Sequence, residues 1–168
     1  MEHYENETKK LLTFVAFMVS FSAAITIFFP SLIMKIDDIH YQLLGINSIF
    51  GGNATFHYNF NILGFLGYLG VLAATILMVL SFKFEKKITY ILSTLFYLAS
   101  VLLFVFTKQG FILANKNEAY INNVSSYSLG LGSILAIIFN GISLIISLII
   151  TIKELKGDHV YKWEVFMV

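Results

Sequence analysis

Four stretches of this chain, about 11–34, 62–82, 88–107 and 127–152, contain no Asp, Glu, Lys, Arg or His. Each is long enough to cross a bilayer, since about 20 apolar residues span the roughly 30 Å hydrocarbon core as a helix. Lipid offers a backbone no hydrogen-bond partner, so each stretch is expected to be helical. None shows the alternating polar and apolar residues of a barrel strand. Composition excludes the soluble alternative: 58% of residues are hydrophobic and only 12% are charged, about half the usual charged share. A 19.0 kDa soluble protein could not bury that much apolar surface in one core. The expected fold is an all-α membrane protein: one four-helix transmembrane domain over residues 1–168.

Orientation follows from lysine, the only basic residue type besides four histidines. Lys9, Lys10, Lys83, Lys86, Lys87, Lys153, Lys156 and Lys162 flank one side of the predicted spans, whereas Lys35, Lys108 and Lys116 flank the other. The positive-inside rule then puts both termini and the short turn near 83–87 in the cytoplasm. Segments 35–61 and 108–126 become outside loops of a multi-pass cell-membrane protein. Small residues at Ser22-Ala23-Ala24 resemble a signal-peptidase site, but the apolar run continues through Phe29 for a full membrane thickness, so the stretch is read as a span.

Each span carries small or weakly polar residues at helical spacing. The clearest line is Gly132, Ala136, Asn140, Ser143, Ser147 and Thr151 in the fourth. Thr13, Ala16, Ser20 and Ala23 form a second line, and Thr89, Ser93, Tyr97 and Ser100 a third. Gly64, Gly67 and Gly70 make a glycine ladder in the second span. Membrane helices associate where small residues let backbones approach. Gly67, Gly132, Ala136, Asn140, Ser143 and Ser147 are therefore helix-packing candidates, with pore lining as the competing use. The spans hold no ionisable group for charge movement and no His to ligate haem.

In the first outside loop, polar and apolar residues alternate from Asn53 to Asn61 behind a Gly51-Gly52 turn signal. Period two predicts a strand, with Ile46 to Phe50 as its partner in a small extracytoplasmic β-hairpin. Phe56, His57 and Tyr58 on this segment are candidates for recognition. Asp37, Asp38, His40 and His57 share the loop but match no metal-site spacing, so no metal is assigned. The second outside loop is an asparagine-rich polar segment. Near the C-terminus, Tyr161, Lys162 and Trp163 suit the headgroup layer.

No phosphate-binding glycine loop, nucleophile elbow or zinc-protease motif occurs, and the absence of cysteine excludes thiol chemistry. The chain is therefore expected to have no catalytic residues and no cofactor, and its sparse positive charge suggests no nucleic-acid partner. The layout of four spans, cytoplasmic termini, a patterned first outside loop and a tiny cytoplasmic turn resembles tetraspan proteins of the claudin type, in topology only. That family's first-loop tryptophan and paired cysteines are absent, since Trp163 is the sole tryptophan, so its junction- or pore-forming activity is not carried over. The segment from Gly45 to Gly51, the second span and the stretch from Phe104 to Phe111 are similar to small uncharacterised four-span proteins of low-GC bacteria. The expected function is that of a non-enzymatic subunit, accessory or interaction protein of a larger membrane system. Membrane lipid and either further copies or a membrane-protein partner would surround it. The alternative is a homo-oligomeric channel or carrier for a small neutral or lipid-like solute.

Overall fold

The computed structural model describes residues 2–51, 58–84 and 87–164, with side chains described from 7 to 156 apart from 52–57, 82, 85–86 and 119. The main helices are α1 (Glu2–Ile25), α3 (Ile62–Phe84), α4 (Lys87–Val105) and α6 (Leu131–Glu164). Each contains a stretch long and apolar enough to cross a membrane, so the protein is a multi-pass membrane protein. Helices α1 and α4 each pack on both α3 and α6, closing the four into a ring.

A small sheet caps one end of the bundle. Strand β1 (Pro30–Ile36) lies between β2 (Ile39–Leu44) and β3 (Val124–Leu129), antiparallel to both. Short α2 (Gly45–Phe50) follows β2, and α5 (Thr107–Asn115) follows α4 after a one-residue break at Phe106. Leu32, Met34 and Leu43 pack with Tyr58 and Phe111 beneath the sheet. Helix ends are tied to this cap by backbone hydrogen bonds, including Gly45 N to Phe29 O at 2.9 Å and Gly130 N to Ser31 O at 2.8 Å.

The expected class of four apolar helices with a small antiparallel sheet is what the protein adopts, but the sheet uses other residues than those anticipated. The apolar run 11–34 is divided. Its helix ends at Ile25, a 3₁₀ turn follows over Thr26–Phe28, and β1 starts at Pro30. Proline has no N–H to continue a helix and pushes the residue before it to extended backbone, as Phe29 shows with φ −95° and ψ 160°. At the other boundary, residues 127–129 belong to β3, and α6 begins at Leu131. Ile46 to Phe50 is helical rather than a strand. Of the segment 53–61, residues 53–57 lie outside the described part of the structure and 58–61 form no strand. The second loop, to which the sequence assigned no element, holds most of α5, a 3₁₀ turn over Ala119–Asn123 and the start of β3.

The β1–β2 connection is Asp37-Asp38, with φ of 47° and 66°. Two consecutive positive φ values are the pattern of a tight type I′ hairpin turn, whose twist matches the flanking strands. Asp38 also pairs with Lys35 at 2.6 Å, but its carboxylate is 91% exposed, so water screens the contact. Relief of backbone strain should therefore dominate. Asp38→Gly is expected to stabilise the fold by about 0.5 kcal/mol, and Asp38→Val to destabilise it by about 1–2 kcal/mol. Thermal unfolding in detergent checks both.

Candidate functional site

Two groups of polar side chains are candidates for function: hydroxyls inside the bundle and tyrosines beneath the sheet. Within the bundle, Ser20 on α1, Thr75 on α3, Tyr97 on α4 and Ser143 on α6 converge. Ser20 Oγ lies 2.7 Å from the Tyr97 hydroxyl and 3.0 Å from Ser143 Oγ. The Tyr97 hydroxyl is also 3.3 Å from Thr75 Oγ1. Further from the sheet, Thr94 Oγ1 meets Ser147 Oγ at 2.7 Å and Thr151 Oγ1 at 3.0 Å. Beyond them, Lys9 and Glu154 join α1 to α6 at 2.7 Å, with the ammonium 5.1 Å from the Tyr90 ring centre.

Each sequence-derived candidate on α6 turns inward. Gly132, Ala136, Asn140, Ser143 and Ser147 are all buried. A Cβ on Gly132 would lie 2.9 Å from the carbonyl oxygens of Thr26 and Phe29, so α6 enters the bundle against backbone. Asn140 donates from Nδ2 to Tyr97 O at 3.3 Å, while its Oδ1 is buried with no hydrogen-bond partner. On α3, a Cβ at Gly67 would meet the Phe104 ring at 3.1 Å. Toward the sheet, Ala23, Val71, Phe104 and Ala136 form an apolar layer. Tyr68, in the same layer, bonds its hydroxyl to Thr26 Oγ1 at 3.1 Å.

Of the loop candidates, Phe56 and His57 lie outside the described residues. Tyr58 is buried, packed against Phe111 and edge-on to Tyr120 with ring centres 5.9 Å apart. It faces the protein rather than a partner. Asn59 and Asn61 fix the chain beside it. The Asn59 backbone N–H donates to Asn115 Oδ1 at 2.8 Å, and Asn61 Nδ2 donates to Thr107 O at 3.1 Å. Burial raises the Tyr58, Tyr120 and Tyr127 phenols above their ordinary value of 10.0, with Tyr41 adding to the effect at Tyr58. Among the described residues, no three His, Cys, Asp or Glu side chains come together as metal ligands.

Sequence reasoning passed over Thr75 and Thr94, which complete the two hydroxyl clusters, and over the Lys9–Glu154 pair. A threonine in a span carries little signal by itself. Thr94 also follows Ser93, which had been placed on the packing line. Comparison with known protein families and with curated proteins found no match.

Two measurements test this description. Gly67→Leu should cost about 1–3 kcal/mol, because the added side chain overpacks the Phe104 contact. Asn140→Leu, close in volume, should cost less than about 1 kcal/mol or stabilise. It exchanges one interhelical bond, worth about 0.6 kcal/mol in membranes, for removal of an unsatisfied acceptor. Reversible unfolding in mixed micelles separates the two.

The tyrosines give a pH prediction. The folded state holds these phenols protonated, so their contribution is intact below about pH 10, the unfolded value. It declines as pH rises above that point toward the raised folded values. Spectrophotometric phenol titration should show late-ionising tyrosines that revert to ordinary behaviour on denaturation.

Proposed function

We propose that the protein is a non-enzymatic subunit or accessory of a larger membrane assembly, acting through its sheet end and its lipid-facing helix surfaces. One observation carries this reading: most of the buried hydroxyls of the four helices bond to one another or to backbone within the single chain. Ser20, Thr75, Tyr97 and Ser143 bond to one another, as do Thr94, Ser147 and Thr151. Surfaces turned outward must then supply any contact with another protein. Neither outer strand of the sheet itself carries Lys, Asp, Glu or Pro, the residues with which proteins commonly protect sheet edges, although Lys108 of α5 reaches the β3 edge at Tyr127 O, 3.4 Å away. A partner segment adding to such an edge is a familiar mode of recognition.

The proposed orientation places the sheet outside a bacterial cell membrane and both termini in the cytoplasm. It rests on the excess of lysine at the bundle end away from the sheet, where Lys9, Lys83, Lys87 and Lys153 lie.

Photo-crosslinkers at Gln42 on β2 and Ser128 on β3, followed by purification in mild detergent and mass spectrometry, test the assignment. A stoichiometric membrane-protein partner, cross-linked at one of these edges and lost on substitution there, is expected. Recovery of the chain alone, together with solute flux through proteoliposomes above that of empty vesicles, would replace this reading with a channel or carrier.

A further inference from the structure

On the outer flank of α3, near the sheet, the bundle leaves an apolar cavity of about 140 Å³. Phe65, Tyr68, Leu69 and Leu72 form its α3 wall, and Ile27 and Ile49 face them. Ile49 is fully buried, whereas Leu69 and Leu72 are each 49% exposed, so the groove runs from the protein's interior to its lipid-facing surface. The Tyr68 hydroxyl is turned to Thr26 and presents only its ring to the space. At the sheet end, Phe50, Phe60 and Phe65 meet at tilted and edge-on angles with ring centres 5.4–6.2 Å apart and form an aromatic lip.

We propose that this groove holds a phospholipid acyl chain from the leaflet on the sheet side. Location limits the occupant first. Phe65 to Leu72 lie in the membrane-spanning part of α3, so the space opens into hydrocarbon rather than water. Chemistry limits it next, because the lining gives a peptide backbone or a headgroup no partner. Size limits it last: a helix about 10 Å across cannot enter, whereas an apolar cavity of about 150 Å³ accepts a benzene-sized hydrocarbon. Entering from bulk lipid brings no water-exclusion gain. The preference comes from dispersion contact on several sides, which an empty groove forfeits. The aromatic lip suits the boundary between chains and headgroups, so the chain runs from there toward Leu72. This inference is independent of the partner reading and concerns the isolated protein.

The test uses the full chain in phosphatidylcholine nanodiscs, with Trp163→Phe removing the only native tryptophan. Phe65→Trp reports on the groove, and Ile145→Trp reports on an ordinary lipid-facing site that is 60% exposed. Phosphatidylcholine with dibrominated acyl chains is then titrated as the quencher. The groove reporter should show about threefold preferential quenching over the control, the scale that a handful of extra dispersion contacts supplies. Leu72→Phe or Leu69→Phe, either of which fills the space from a half-exposed position, should remove that preference. Identical quenching curves at the two reporters would overturn the proposal. A preference that survives both filling variants would do the same. So would protection of the groove reporter from brominated lipid by a co-purifying membrane protein, which would make the occupant a partner's side chain.

Discussion

Inside hydrocarbon a hydroxyl has no water to turn to, and the packing of this bundle follows from that constraint. Ser20, Thr75 and Thr94 each donate to a carbonyl four residues earlier in their own helix, at 2.6, 2.7 and 3.0 Å. Each oxygen also meets a hydroxyl of another helix. Backbone satisfaction and helix association are thereby joined in the same atoms. Individually such bonds contribute about 0.6 kcal/mol on average in membranes, so they position the helices more than they stabilise them. Close approach supplies the rest: Gly67 brings α3 against the Phe104 ring, and Gly70 brings it against Ser100.

The same constraint explains the cap. A chain leaving the bilayer must pass its backbone groups to new partners, and β1 does so on both edges. Ser31, at its start, accepts from Gly130 N and from Ser133 Oγ at the entry of α6, both at 2.8 Å, while its own hydroxyl pairs with Ser48 on α2. One strand thus anchors the ends of the first and last membrane helices. Asn61 closes the remaining corner: it donates to Thr107 O and accepts from the Gly64 N–H in the first turn of α3.

The four helices were legible because membrane-length apolar runs have one structural solution. The small-residue lines were legible for the same reason, since helical spacing puts them on one face. The sheet was not. Leu32, Met34 and Ile36 share the buried face of β1, but Ile33 on the other face is apolar too and the strand continues directly from a membrane-length apolar run, so its period-two signal is masked. Asp37-Asp38 forms a turn more often signalled by Asn-Gly. Tyr58 to Asn61 shows the alternation but uses it to send Tyr58 to the tyrosine cluster and Phe60 to Phe50 and Phe65, while Asn59 and Asn61 clamp to α5. The Lys9–Glu154 pair joins residues at opposite ends of the sequence and has no local signature.

A line of Asn and Ser along one helix has the same sequence whether it faces a pore or a neighbour. What distinguishes the cases is the surface opposite. Facing Ser143 are Ser20 and, through it, Tyr97; facing Ser147 is Thr94. Every one of these hydroxyls has a protein partner, and one helical turn beyond Asn140 the core changes to Ala136, Ala23, Val71 and Phe104. An aqueous path would need polar groups left over for water along its whole length. Here the polar layer consumes its own hydrogen bonds and ends against an apolar one, which supports packing as the use of the stripe. Asn140 Oδ1, buried at the junction of the two layers without a donor, is the point where that arrangement is least complete. Thr13 Oγ1 on α1 is likewise buried without a partner, but Asn140 lies where the polar and apolar layers meet, and a polar substitution on a facing helix there would find an acceptor waiting.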